Sequence, residues 1–268
     1  MSRSGGGIER DYTADVSRSL VSGVVRVNAL CTRSIATAFS SLSAPQDIWA
    51  GVDNQMTFPT ADESWEVVSS SANDAVGGSG SETVTFTVLN FAYAEIAAFT
   101  VNLNGTTPVT LPNAAAYAWL NGATTGRITP AAQRVKNQGD ITIRVTGSAG
   151  DNTKVRGIIP AFTGNLSNAV YTVPIGKTLE IFSMEAKILQ SGLTGTPRGA
   201  DFRLNFRNPN GSVSAPKAIT CTDMGPFTLR AETKIRVGQR FNFIPQCVGT
   251  SNNGMIVSMD WEAHLYTN

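Results

Sequence analysis

The chain has 268 residues with 21 basic and 20 acidic side chains, and only 15% of its residues are charged. This length allows one large or two ordinary domains with real cores, so stability does not depend on disulfides or metals. The nearly neutral balance, without a strongly basic stretch, argues against a general nucleic-acid scaffold and against specific nucleic-acid binding, because phosphate binding needs concentrated lysine and arginine.

The cysteine content also limits the classes of protein. Cys31, Cys221 and Cys247 are too few for a secreted disulfide framework and have no zinc-ligand spacing. Cys221 and Cys247 could form a disulfide if they lay on neighbouring strands, but buried thiols are the favoured interpretation. Charged residues precede any apolar run, so we expect no secretory signal and no membrane segment.

Residues 1–44 are interpreted as an extended N-terminal arm that docks on a partner. Their Gly-rich start is too flexible to fold alone. A helix could begin at Thr13, but Gly23 and the β-branched residues 24–27 oppose its continuation. We expect removal of this arm to leave a folded protein. The candidate assembly contacts are Arg10, Arg18, Arg26, Arg33 and Trp49.

Pro45 marks a boundary, and residues 45–160 are predicted to form a first antiparallel β-sandwich or jelly-roll-like domain. Short β-branched and aromatic runs recur at intervals of roughly 8–12 residues, which is typical of sandwiches and barrels. Within 83–88, valine and phenylalanine alternate with threonine, so one face is buried and the other is solvated. The strands are predicted at 65–68, 83–88, 97–101, around Val109, at 115–120 and at 141–145. Turns are predicted at Asn104-Gly105 and Asn121-Gly122, and Pro130 could open one helical turn within 129–137.

Residues 161–268 are predicted to form a second domain of the same class. The runs 169–173 and 178–184 flank the turn 174–177 and predict a hairpin. The long alternating run 256–266 predicts a central strand that closes the sandwich. Further strands are predicted at 201–207, 227–230, 234–237 and 240–244. The fold class is therefore all-β, with two tandem sandwiches preceded by an arm.

The side chains that could carry catalysis are sparse. The chain has one histidine, His264, which shares a strand face with Asp260 and Glu262 and is interpreted as a surface residue. Nucleophilic mechanisms that need a histidine base are therefore disfavoured, and we expect no enzymatic activity.

The candidate phosphate and metal sites each lack residues that such a site requires. Gly176-Lys177-Thr178 resembles the end of a phosphate-binding loop, but position 171 is tyrosine and Pro174 interrupts the loop. Asp74 with Asp62 and Glu63 could supply calcium ligands, but no ordered acidic ladder accompanies them, so a turn is favoured. We expect neither a metal nor a cofactor.

An ordered series of short motifs lies between residues 47 and 180. The motifs are Asp47-Ile-Trp-Ala-Gly51, Phe58-Pro59, Val67-Val-Ser-Ser-Ser-Ala-Asn-Asp74, Gly77-Gly-Ser-Gly80, Asn104-Gly-Thr-Thr-Pro-Val109, Gly139-Asp-Ile-Thr142 and Tyr171-Thr-Val-Pro-Ile-Gly-Lys177. The series resembles a family of structural proteins of tailed bacteriophages, found among genes for capsid decoration or tail parts. The arm and the last 80 or so residues, roughly 181–268, match no motif of that family.

The resemblance implies an assembly role in the virion, with assembly in the host cytoplasm. Its expected partners are other virion proteins, namely a major capsid, portal or tail protein, together with further copies of this chain. The leading hypothesis is a capsid decoration or head-associated protein attached through the arm. The alternatives are a tail component, such as a nozzle, adaptor or fibre-base subunit, and an adhesin that binds a host-surface glycan.

Overall fold

A computed structural model describes residues 24–35, 39–40, 45–51, 53–128, 135–190, 199–208, 212–222, 227–250 and 255–268. Within these ranges the protein is all-β, as predicted, and every strand pairing is antiparallel. The single helical segment of the described chain is the 3-10 turn Asn152–Lys154. Among the same residues, no helix is long and apolar enough to cross a membrane.

Seventeen strands follow one another in the described residues. The first ten are β1 Val24–Ile35, β2 Phe39–Ser40, β3 Gln46–Asp47, β4 Trp65–Ser69, β5 Thr83–Leu89, β6 Glu95–Asn102, β7 Val109–Thr110, β8 Trp119–Gly126, β9 Ile141–Val145 and β10 Val155–Ile159. The other seven are β11 Tyr171–Thr172, β12 Lys177–Gln190, β13 Gly199–Arg207, β14 Val213–Thr222, β15 Phe227–Val237, β16 Asn242–Thr250 and β17 Met255–Thr267.

The first packing unit is built from two sheets with strand orders β10-β9-β4-β7 and β6-β5-β8. In β5, Val84, Phe86 and Val88 are buried while Thr85 and Thr87 are exposed, which confirms the alternation read from the sequence. The buried side chains of both sheets form one apolar cluster that includes Trp65. Burial of these side chains supplies the hydrophobic free energy of this unit.

The second unit has sheets of order β1-β17-β12-β15 and β11-β16-β13-β14, and the short strands β2 and β3 also pair with β16. The C-terminal strand β17 lies between β1 and β12, as the sequence predicted for a central strand. Its Trp261 is buried and donates from Nε1 to the Ala169 carbonyl at 2.9 Å. The second apolar cluster contains both Trp261 and Ile48, so residues near position 48 pack with the C-terminal half.

Part of the predicted arm belongs to the sheet that contains β17. Residues 24–35 form β1, which pairs with β17 at twelve consecutive positions without a bulge. Cys31 on β1 is fully buried in the second apolar cluster. We therefore expect removal of residues 1–44 to take a strand out of a folded sheet and to destabilise it, in place of the expectation that the remaining chain stays folded. We propose packing units of 53–167, and of 24–51 with 168–268, in place of boundaries at 44 and 160.

Two local predictions from turn chemistry are wrong. Asn121-Gly122 lies within β8 rather than in a turn, because Gly122 sits opposite Thr87 of β5 and the Asn121 side chain pairs with another strand. The turn at 174–177 forms, with Gly176 at φ +73°. Its flanking strands do not pair, however, since β11 joins β16 while β12 joins β15 and β17. The chain thus crosses between sheets at Pro174, which has no N–H to donate to a ladder.

The candidate disulfide is tested by strand order, and the predicted helical segments fall outside the described ranges. Cys221 on β14 and Cys247 on β16 are separated by β13, which places their Cα atoms about 9 Å or more apart and too far for a disulfide. Cys31 and Cys247 are buried, and burial raises the pKa of the Cys31 thiol to about 11. The helix expected from Thr13 and residues 129–134 of the expected helical turn lie outside the described residues.

The two units are joined by a side-chain amide that imitates a strand pair. Asn121 on β8 donates from Nδ2 to the Thr172 carbonyl at 2.7 Å, and its Oδ1 accepts from the Thr172 N–H at 2.9 Å. Lys177 also pairs with Glu95 across the units, at 2.6 Å. These contacts fix the first unit against the second.

The Asn121→Ala variant should be less stable by about 1–3 kcal/mol, because both backbone groups of Thr172 lose their partner in a partly buried contact. Urea denaturation measures this loss. Asn165→Ala is the matched control, since Asn165 is exposed and donates only within its own turn, to the Thr163 carbonyl. Equal losses in the two variants would contradict a joining role for Asn121.

Candidate assembly surface

The five predicted assembly contacts fall into three groups. Arg10 and Arg18 lie outside the described residues. Arg26 is exposed on β1 and forms an ion pair with Glu262 on β17. Arg33 and Trp49 are 6% and 2% exposed, so they offer almost no surface to another subunit. Only Arg26 is therefore seen on the surface, where an exposed ion pair contributes at most about 1 kcal/mol.

Arg33 holds the chain segment that follows β3. Its guanidinium donates to Gln46 Oε1 at 3.0 Å, to the Asp53 carbonyl at 3.0 Å and to Asn54 Oδ1 at 3.3 Å. Burial lowers the pKa of Arg33, and the nearby Asp47 carboxylate partly offsets that effect. The planar group is suited to this task because its donors form a fixed fork. The side chain predicted to contact a partner instead fastens residues 46–54 to β1.

Trp49 packs inside the same segment. Its Nε1 donates to the Asp53 carbonyl at 3.0 Å, and its ring occupies the space beside Gly51. A Cβ at Gly51 would lie 1.9 Å from the indole, so no larger residue fits there without a shift. Trp49 also forms an isolated bridge with Asn168. Its large apolar ring is thus used within the chain.

Asp47 connects the polar contacts around Arg33 on β1 to strand β16, which belongs to the other sheet of the second unit. Its carboxylate accepts from the Met56 N–H at 2.7 Å and from Gln246 Nε2 at 2.6 Å, while Gln246 Oε1 accepts from Arg203 Nε at 3.0 Å. Burial raises the pKa of Asp47 despite these donors. We call Arg33, Asp47, Trp49 and Gln246 the Arg33 cluster. It connects β1, β3 and β16 and therefore has a structural role.

The outer face of the sheet containing β1, β17 and β12 is charged. We call Arg26, Glu185, Lys187, Asp260 and Glu262 the charged sheet face. Glu185 lies directly opposite Asp260 on the neighbouring strand, and Lys187 pairs with Glu185 at 2.6 Å. Burial, followed by repulsion from Glu262, raises the pKa of Asp260. The charged sheet face has two cationic and three acidic side chains, so it carries a net negative charge that a basic partner surface would neutralise.

Replacing Asp260 with asparagine should raise the Tm at pH 7. The pKa of Asp260 is raised in the folded state, so the folded protein loses stability as pH rises from the unfolded value near 4. The gain in Tm should therefore vanish below about pH 4, where both states are protonated. Scanning calorimetry between pH 4 and 8 measures it. Asp201→Asn, at an exposed position on β13, should show little change, and a lower Tm for Asp260→Asn would contradict the repulsion.

A groove of about 600 Å³ runs between β1 and β8. Its lining side chains are uncharged and mostly carry amides, hydroxyls or small groups, as in Asn28, Asn121, Thr124 and Asn165. Leu30 is an exception, with 57% of its surface exposed at the rim. The groove therefore suits an uncharged chain segment better than a charged ligand.

His264 is buried rather than exposed, which corrects the prediction from strand alternation. Only 2% of its surface is exposed, and its ring centroid lies 4.5 Å from that of Phe182. The rings of Phe182 and Tyr266 pack against the imidazole, with the Tyr266 ring centroid 6.1 Å from that of His264. The chain's single histidine is therefore inaccessible as a base for a substrate.

The carboxylates considered for calcium do not converge. Asp62 accepts from the Phe91 N–H at 2.6 Å, and Glu63 pairs with Arg156 at 2.7 Å. The contact with Arg156 lowers the pKa of Glu63 against the opposing effect of burial, which is the largest single influence. In the described part of the chain, no three His, Cys, Asp or Glu side chains are grouped as metal ligands.

Asp74 has a role that the sequence did not reveal. It is fully buried, and its carboxylate accepts four hydrogen bonds. The donors are Ser69 Oγ at 2.6 Å and the N–H groups of Ser81, Gln138 and Gly139, each at 2.9 Å. The Ser- and Gly-rich loop after β4 folds around this carboxylate. No spacing rule could find it, because the donors come from up to 65 residues away.

Comparison with known proteins adds little to this description. No protein-family model matches the chain, and no curated protein sequence matches it. A solved structure of infectious bursal disease virus, Gt strain, is matched at 10% identity over 96% of this chain and 78% of that chain, with a TM-score of 0.23. The VP2 subviral particle of that virus gives 10% identity over 91% and 81%, with a TM-score of 0.17. Superpositions this poor establish no shared fold, so the functional argument depends on the chain's own residues.

Proposed function

We propose that this chain is a structural protein of a virus particle, and more specifically a decoration or head-associated protein of a tailed bacteriophage attached through its N-terminal region. One observation carries the proposal. Four of the motifs that resemble the phage family meet in space around Asp74. They contribute Ser69, the 77–80 loop, Gly105 and Gly139 to that site.

This convergence explains why the motifs occur together. Gly105 donates its N–H to the Asp74 carbonyl at 2.8 Å and accepts from the Ser69 N–H at 3.0 Å. A Cβ at Gly80 would lie 2.2 Å from Asp74 Oδ1, so glycine is needed there. The motif series therefore marks one buried structural cluster rather than a ligand site, which supports a building-block role.

The attachment part of the proposal is supported by the position of β1. The strand β1 begins at Val24, whose partner on β17 is Tyr266, so residue 23 is joined to the chain at a defined sheet end. Arg26 and Glu262 lie close to this point on the exposed face. Attachment through a segment next to this sheet end can be weak in each copy, because many copies act together in a particle.

Counting copies in the particle tests this function. Native mass measurement or imaging with labelled protein should find hundreds of copies distributed over the head. Six or twelve copies at one vertex would replace this proposal with the tail alternative, a nozzle, adaptor or fibre-base subunit. Absence from purified particles would overturn both.

Attachment has its own test in a truncation of residues 1–11, which spares β1. The truncated protein should keep the Tm of the full chain but fail to enter particles. Normal incorporation would refute attachment through the N-terminus. A lowered Tm would show that the segment belongs to the fold and would equally refute a free attachment role.

A host-glycan adhesin is a second candidate because an exposed aromatic ring is stacked on a second ring. Phe91 is 40% exposed and stacks on Trp119, with ring centroids 6.4 Å apart and planes 12° apart. Rings held in this way can stack on sugars. Glycan-array binding by the full chain that is lost in Phe91→Ala would favour this candidate, and no binding would eliminate it.

A further inference from the structure

The groove between β1 and β8 has the size of a ligand site. Its volume of about 600 Å³ lies within the range of roughly 300–1,000 Å³ that is typical of small-molecule pockets. Its described walls come from residues 28–30 of β1, residues 121–124 of β8 and part of the segment between Pro160 and Asn168. The groove is therefore large enough for an organic ligand and not only for ordered water.

The described lining residues carry no charge, and this restricts the chemistry of the ligand. The polar side chains among them are amides and hydroxyls, such as those of Asn28, Thr124 and Asn165. A charged ligand would lose hydration in the groove without gaining a counter-charge. An apolar ligand would cover the amides and hydroxyls without supplying hydrogen-bond partners. The lining therefore favours a neutral ligand that is rich in hydrogen-bonding groups.

Several of these side-chain groups are available to a ligand. Within the described ranges, no hydrogen bond involves the Asn28 amide or the Thr124 hydroxyl. Asn165 donates from Nδ2 to the Thr163 carbonyl at 3.3 Å, and its Oδ1 is a further acceptor. Amides and hydroxyls both donate and accept, as the hydroxyl groups of a sugar do. The wall of the groove thus matches a ligand with closely spaced hydroxyl groups.

The backbone of β8 is already paired where it borders the groove. The Ala123 carbonyl accepts from the Leu166 N–H at 2.8 Å, and the Thr125 N–H donates to the Gly164 carbonyl at 2.9 Å. Of the uncharged chains that suit the groove, a polypeptide would gain most of its affinity by adding a strand to such an edge. That pairing is not open on the β8 side. Recognition there depends on side chains, which favours an oligosaccharide over a polypeptide.

Leu30 adds an apolar contact at the rim. Its side chain is 57% exposed where the groove opens. The C–H face of a pyranose ring is apolar, and covering it with Leu30 would remove both surfaces from water. The groove therefore offers hydrogen bonds along its wall and an apolar contact at its edge.

We propose that this groove binds a neutral saccharide. Its hydroxyl groups pair with Asn28, Thr124 and Asn165, and one sugar ring packs on Leu30. The inference depends on the groove, and it uses neither the proposed virion role nor the Phe91 ring. Each of the three can therefore fail separately.

Titration of the ¹⁵N-labelled full chain with neutral oligosaccharides tests this site. The probes are short oligomers of glucose, galactose, mannose, rhamnose and N-acetylglucosamine. At least one of them should shift the amide signals of residues 28–30 and 121–124 in a saturable way. Phe91→Ala should bind that probe with unchanged affinity.

The Thr124→Val variant removes one hydroxyl at nearly constant shape. It should weaken binding about three- to tenfold, which is the contribution of one neutral hydrogen bond. Thr110→Val is the matched control, because Thr110 is exposed on β7 and does not line the groove, and it should leave the affinity unchanged. Asn28→Ala combined with Thr124→Val should weaken binding by about tenfold or more. The Tm of each variant shows that the fold is retained.

Four results would overturn the inference. The first is the absence of saturable shifts at the groove with every probe, and the second is equal affinity in Thr124→Val, Thr110→Val and the wild-type chain. The third is binding that is lost in Phe91→Ala and kept in the groove variants, which would assign the saccharide to the Phe91 ring. The fourth is a shift of the groove signals by a neutral serine- and asparagine-rich peptide and by none of the saccharides.

Discussion

Replacing Asp74 with alanine is expected to lower the free energy of unfolding by about 4 kcal/mol or more, since hydrogen bonds to a charged group contribute roughly 1.5–3 kcal/mol each. Four donors converge on this fully buried carboxylate. Alanine would leave three backbone N–H groups and one hydroxyl without an acceptor and away from water. Because small domains have only about 5–15 kcal/mol of stability, much of the first unit should unfold at modest urea concentration.

The Asp74→Asn variant tests whether stability depends on the shape of this side chain or on its hydrogen bonds. Oδ1 accepts from Ser81 and Gln138, while Oδ2 accepts from Ser69 and Gly139. An amide keeps the shape, but its NH₂ group must face one of these donor pairs. We therefore expect Asp74→Asn to be destabilised, although less than Asp74→Ala.

The control is Asp151→Ala. Asp151 is exposed and caps the 3-10 turn by accepting from the Thr153 N–H at 3.0 Å and from its Oγ1 at 2.7 Å. Loss of such a cap costs typically about 1 kcal/mol. Urea denaturation followed by circular dichroism gives all three values. A loss in Asp74→Ala no larger than in Asp151→Ala would show that the loop does not depend on this carboxylate.

The sequence predicts strands well where side chains alternate between two environments. The runs in β5 and β17 were located because each has one apolar face, and that face packs in the predicted direction. Periodicity reports only the local environment of a strand, so it does not identify the partner. The expected hairpin at 174–177 failed for this reason, since its two strands enter different sheets.

Polar contacts between residues far apart in the chain are not predictable from local sequence patterns. The sequence predicts Asp74 as a turn residue, and it gives no sign of the donors Gln138 and Gly139, which lie more than 60 positions away. The sequence predicts Arg33 as an assembly contact, since it gives no sign that the acceptors of Arg33 lie in and after β3. Both side chains satisfy buried backbone groups, and that requirement becomes visible only when the chain is folded.

Arg33 and Arg26 provide a matched test, because both are arginines of β1 that were predicted as assembly contacts. Arg33→Ala is expected to cost about 1.5–3 kcal/mol, since it removes the charged donor of part-buried hydrogen bonds to Gln46, Asp53 and Asn54. Arg26→Ala should cost no more than about 1 kcal/mol, because its ion pair with Glu262 is solvent-exposed.

Lysine at position 33 tests the geometry of the group rather than its charge. A single ammonium cannot reach Gln46, Asp53 and Asn54 together, so Arg33→Lys should recover only part of the lost stability. Urea denaturation ranks the variants, and particle incorporation gives a second readout. Arg26→Ala should reduce incorporation at unchanged stability, whereas Arg33→Ala should lose both. If Arg33→Ala were as stable as Arg26→Ala, the Arg33 cluster would not hold residues 46–54, and Arg33 would return as a candidate for contact with a partner.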